Sequence, residues 1–178
     1  MDIKEVRSCF TSAIKDDEKG KKHKGLVIGE PNNKMAEGYL IKAKENIQLA
    51  EIYMKNGFEY MIPEAWFYTL YYCALAILLK FGISSRSQRC TAIFLKYAKE
   101  RDLIDYDDEL IDRITVHTKK GEKSDVDKRE EARYGPQIKI EDVPKEYDSM
   151  NGVCKKAIEQ CEEIVYSNQE FKIPKELV

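Results

Sequence analysis

One hundred and seventy-eight residues fall within the roughly 100–200 of one ordinary domain, enough to bury a core without metal or disulfide staples. A hydrophobic share of 43%, with 30 Lys and Arg against 32 Asp and Glu, matches neither a disordered chain nor a membrane protein. The net charge of −2 exerts no global pull on nucleic acid or anionic membrane, so any such contact must come from a local patch.

The 9 Gly and 5 Pro are few, and each Pro sits where a helix can begin or has ended, which predicts an all-α chain. The N-terminus, Met1-Asp2-Ile3-Lys4-Glu5, lacks the basic start and apolar stretch of a secretory signal, so a cytoplasmic protein is expected. Residues 3–18 predict a helix with Ile3, Val6, Phe10 and Ile14 on one side, followed by a cationic connector around Gly20 and His23. After Pro31-Asn32-Asn33, the residues Ala36, Leu40, Ala43, Ile47, Ala50 and Met54 repeat at helical steps until Gly57. Pro63 opens the next helix, whose apolar run from Ala65 to Leu79 stops at Phe81-Gly82. Fifteen residues are short of the roughly 20 a membrane span needs, and Tyr68, Tyr71 and Tyr72 interrupt them, so a buried central helix is expected.

Ser84 to Arg86 can cap a fourth helix carrying Cys90, Ile93, Phe94 and Tyr97. A fifth from Asp107 places Leu110, Ile114 and His117 on one stripe, and helix can resume from Ser124 until Tyr134-Gly135-Pro136. Ile138 and Ile140 alternate too briefly for a sheet. Pro144 then opens a long helix with Val143, Tyr147, Met150, Cys154, Ala157, Cys161 and Ile164 on its buried face. The expectation is an antiparallel helical bundle of about five to six helices: an N-terminal helix and basic connector over 1–30, the bundle over 31–170, and a tail over 171–178.

Cys9, Cys73, Cys90, Cys154 and Cys161 form no CxxC pair and read as free buried thiols rather than a zinc site. With two histidines, no G-x-S-x-G and no glycine-rich phosphate loop, hydrolase triads and conventional nucleotide folds are excluded. Acids at Asp105, Asp107, Asp108 and Glu109 are explained by the helix they precede, and no metal or other cofactor is expected.

The aromatic helix from Ala65-Trp66-Phe67-Tyr68 to Gly82-Ile83-Ser84, then a helix ending near Arg101, then Arg129-Glu130-Glu131-Ala132-Arg133-Tyr134-Gly135, resembles the HEPN family over about residues 34–168. The lead-in Lys22-His23-Lys24-Gly25-Leu26 looks like a prokaryotic branch of it. The resemblance implies a small helical homodimer related to the toxin half of HEPN and minimal nucleotidyltransferase pairs. It also implies metal-independent RNA cleavage by Arg, four to six residues, then His. An imidazole moves protons of the ribose hydroxyl and leaving oxygen while arginine holds the phosphate.

Here Tyr134, Gly135 and Pro136 stand where that histidine would be, so ribonuclease activity is doubtful and binding of RNA or nucleotide is the expectation. Arg129 and Arg133 would clamp phosphate, Tyr134 would position a hydroxyl, and His117 is the one candidate acid/base. His117 equally continues the Leu110/Ile114 stripe as a core-edge residue, and Arg129 and Tyr134 equally close a helix. Between Arg113 and Arg133 seven cations, among them Lys119, Lys120 and Lys128, face five acids, a modest patch for RNA backbone. The alternative is a non-enzymatic module docking a nucleotidyltransferase or a second copy of itself. The aromatics from Trp66 to Tyr72 read as core before they read as a ligand site.

Overall fold

A computed structural model describes residues 2–22, 24–115, 125–136 and 142–177. They form α1 (Ile3–Glu18), β1 (Leu26–Ile28), α2 (Asn33–Lys55), α3 (Ile62–Lys80), β2 (Ile83–Ser85), α4 (Gln88–Glu100), α5 (Asp108–Arg113), α6 (Asp125–Tyr134) and α7 (Asp142–Val165). The chain is mainly helical. α3 organises it, because a helix apolar on every side must be enclosed by others. α2, α4, α6 and α7 all pack against it, and its interior Thr69 donates to the carbonyl of Ala65 at 2.9 Å. Glu59–Lys80 is the one stretch among the described residues long and apolar enough to cross a membrane, yet 78% of that window is buried inside the fold.

The helix ends follow local chemistry. Asp2 and Asn32 cap α1 and α2 by accepting from the N–H groups of Lys4 and Met35, both at 2.9 Å. α3 ends at Phe81, and Gly82 takes a φ of +72°. A Cβ at Gly82 would sit 2.3 Å from the carbonyl oxygen of Gly29, so two reasons demand glycine at that turn.

Several expectations are corrected. Ile14 is 61% exposed, and Ala13 takes the buried place one residue earlier. A short antiparallel pair joins the α1–α2 and α3–α4 connections, Leu26 opposite Ser85 and Ile28 opposite Ile83, where no strand was expected. Its residues are three per strand, too few to leave an alternation that sequence periodicity can detect. Consequently α4 is capped by Ser87, whose hydroxyl accepts from the N–H of Cys90, rather than within 84–86. α5 stops at Arg113, short of the stripe that was to reach His117, and α7 begins at Asp142 with Pro144 in its first turn. The Ile138/Ile140 segment lies outside the described residues.

The five cysteines are not all free. Cys9 of α1 and Cys90 of α4 form a disulfide, their Cα atoms 5.6 Å apart, while Cys73, Cys154 and Cys161 are buried thiols. The thiol inventory therefore gives no argument for a reducing compartment. The terminal segments share the bundle's core: Val6 and Phe10 belong to it, as do Phe171 and Leu177. Glu176 fastens the tail, its carboxylate accepting from the Tyr97 hydroxyl at 2.7 Å and its carbonyl from Arg7 Nε at 2.7 Å.

Candidate functional site

Four of the sequence-nominated residues, Lys128, Arg129, Arg133 and Tyr134, lie on α6. Val126 and Ala132 turn inward and seat this helix on the bundle. Arg129 shares that inward side, and Arg133 follows one turn later. The Arg129 guanidinium lies 4.3 Å above the ring centre of Phe67 on α3, and its side chain is only 17% exposed. Arg133 Nη1 reaches Glu64 Oε1 at 3.0 Å, one turn earlier on α3. Two successive arginines are thus laid along one face of the aromatic helix.

Two more of the nominated cations, Lys128 and Arg113, rest against α7. Lys128 bonds both carboxylate oxygens of Glu146 at 2.8 and 2.9 Å. Arg113, at the end of α5, donates Nη1 to the sulfur of Met150 at 3.1 Å and Nη2 to Glu109 at 3.0 Å. Glu146 and Met150 are four residues apart, so Lys128 and Arg113 rest over consecutive turns of α7. Beside them Trp66 donates Nε1 to Asn151 at 2.9 Å and packs its ring against Tyr147.

These ion pairs reduce the expected electrostatic patch, because Lys128, Arg133 and Arg113 each carry a carboxylate of their own. Sequence counting overlooked Glu64 and Glu146, which are remote in the chain and act as local counter-charges only after folding. Arg129 differs. Among the described residues its one carboxylate contact is a long 3.4 Å one to the neighbouring Glu130, and its buried Nε has no hydrogen-bond partner. Leaving a buried donor unpaired costs about 1–3 kcal/mol, which a cation over a ring offsets by about 1–2 kcal/mol.

Tyr134 lies at the outer end of α6, 78% exposed, with the Arg133 guanidinium 5.7 Å from its ring centre. A flat ring with an arginine alongside, open to solvent, can stack an unpaired base and meet its phosphate. Proton transfer is a different demand. Burial pushes the phenols of Tyr71 and Tyr72 on the neighbouring aromatic ladder above their usual value, so neither is a base at neutral pH. His117, Lys119 and Lys120 lie outside the described residues.

The acidic stretch at the start of α5 is occupied by cations of the chain itself. Lys99 reaches Asp105 at 3.1 Å, and Lys156 pairs with Asp107, whose carboxyl it holds below the ordinary carboxylate value with help from Gln160. Among the described residues no group of three or more His, Cys, Asp or Glu could hold a metal ion.

No family model, curated protein or solved structure matches this chain.

Proposed function

We propose that the chain is a HEPN-like homodimeric protein of the cytoplasm that binds RNA or nucleotide through Arg129, Arg133 and Tyr134 and does not cleave it. The observation that carries this reading is the exposed ring of Tyr134 with the Arg133 guanidinium 5.7 Å from its centre, at the outer end of the helix that lays Arg129 on Phe67. A phosphate oxygen can meet the half-exposed Arg133 guanidinium, and the ring of Tyr134 offers a surface for a base. The order of features over residues 34–168 supports the family part of the reading, and the Tyr134-Gly135-Pro136 sequence supports binding without turnover.

Metal-free protein incubated with labelled transfer RNA in EDTA is expected to retain RNA and leave it intact. Arg129→Lys, which keeps the charge but loses the planar fork, is expected to retain less. Cleavage by the wild type that is lost in His117→Ala would overturn the binding-only reading.

A second reading is favoured by a separate observation. Met35, Ile41, Leu49 and Ile52 of α2 are all exposed, beside the half-buried stacked rings of Tyr39 and Tyr72. An apolar surface of this kind suits a protein contact, with a second copy or a nucleotidyltransferase as the occupant. A module that only docks such a partner would form the complex and retain no RNA.

A further inference from the structure

Two Asn-Gly pairs occur in the chain, Asn56-Gly57 and Asn151-Gly152. In such a pair the backbone nitrogen of the glycine can attack the side-chain carbonyl carbon of the asparagine, because glycine has no Cβ to obstruct the approach. The attack needs a backbone free to rotate and an amide N–H that solvent can reach. The two pairs differ in both respects.

Asn56 closes α2, and Asn56 and Gly57 are both exposed. Gly57 has a φ of +75°, and no atom lies within 4 Å of where its Cβ would be. Its N–H reaches the carbonyl of Met54 at 3.3 Å, beyond the roughly 2.7–3.2 Å of a well-made bond. The Asn56 carboxamide donates to the carbonyl of Ile52 at 2.7 Å, on the exposed surface where water can take its place. The two groups that must meet are therefore held only by solvent-exposed contacts at a helix end, where local opening costs least.

Asn151-Gly152 lies well inside α7, where the N–H of Gly152 belongs to the helical ladder. Asn151 is half-buried, and its Oδ1 accepts from the indole N–H of Trp66 at 2.9 Å. Reaction there requires α7 to open and the Trp66 bond to break.

We propose that Asn56 is a site of spontaneous deamidation in the folded protein, whereas Asn151 is protected by the fold. The Gly57 nitrogen gives its proton to hydroxide and bonds to Asn56 Cγ. The Cγ–Nδ2 bond breaks, and Nδ2 leaves as ammonia with a proton taken from water. Water then opens the cyclic imide at either carbonyl, giving aspartate or isoaspartate. Either product replaces the donor to Ile52 with a carboxylate at the end of α2, where the helix dipole is negative. Isoaspartate also puts an extra carbon into the main chain, which disrupts the bond from the Phe58 N–H to the Tyr53 carbonyl that closes the turn. The turn leads into Glu59–Met61, which packs against α2, α3 and α6, so the modification falls at the junction of those helices.

Ageing the full chain in mildly alkaline buffer, with and without denaturant, and weighing its proteolytic peptides tests this, because deamidation raises a peptide's mass by one dalton. In the folded protein Asn56 is expected to convert at least tenfold faster than Asn151. In denaturant the two sites are expected to convert at similar rates, since each is an Asn-Gly pair freed from its helix. Asn56 converting no faster than Asn151 in the folded protein, or a tenfold difference that persists in denaturant, would overturn the proposal.

Discussion

Phe94→Ala is expected to destabilise the protein by about 4 kcal/mol, within the range for removing a fully buried ring. Phe94 has no exposed surface and its ring joins α1, α4 and the end of α3. Its ring meets Phe10 of α1 edge-on at 6.5 Å, Phe81 at the end of α3 at 5.2 Å, and Tyr97 of its own helix at 6.4 Å. Phe81 in turn packs on Phe171 of the tail at 5.1 Å. Truncation therefore opens a cavity where the N-terminal helix, the central helix and the tail converge, and the rigid helix ends around it limit collapse. Thermal unfolding should show a midpoint about 10 °C lower in a domain of this size. Ile14→Ala, on the exposed side of α1, should remain within about 0.5 kcal/mol of the wild type. Equal stability of the two variants would contradict the packing described.

Loss of the Cys9–Cys90 bond is expected to cost about 2–4 kcal/mol, because it closes a loop of 81 residues in the unfolded chain. The effect is predicted to be local in the folded state. α1 reaches the rest of the fold through β1, α4 and the tail, whereas α2, α3 and α7 pack together without it. Cys9→Ala should thus lower the unfolding midpoint and speed amide exchange in α1 while α3 stays protected. Thiol titration of unfolded, unreduced protein should count three reactive thiols, those of Cys73, Cys154 and Cys161. Five thiols would contradict the bond.

Much of this architecture is readable in the chain because its signals are local. The alternating steps from Ala36 to Met54, the all-round apolar α3 and the Gly57 and Gly82 stops each depend on neighbours a few residues away. The disulfide, the β1–β2 pair and the ion pairs of Arg133 and Lys128 join residues far apart in sequence, where no periodicity reports them. Ile14 shows the same limit on a smaller scale: hydrophobicity nominated it, but α4 and β1 decide which side of α1 is covered. At the α6 surface the sequence singled out Arg129 and Tyr134 through a family pattern. It gave no sign that Phe67 would lie beneath the guanidinium, nor that Lys80 would end up buried against the Val165 carbonyl and Asn33.

The RNA-binding surface proposed on α6 is tested most directly by fluorescence anisotropy of a labelled single-stranded RNA titrated with wild type and with Tyr134→Ala. Tyr134 is exposed, so its removal leaves the fold intact and any change reports on recognition. Stacking of one base on an aromatic ring contributes about 1–3 kcal/mol, so the variant should bind about tenfold more weakly, with both complexes weakening as salt is raised. Affinity unchanged in Tyr134→Ala, or no complex with the wild type at low salt, would contradict RNA recognition at this surface.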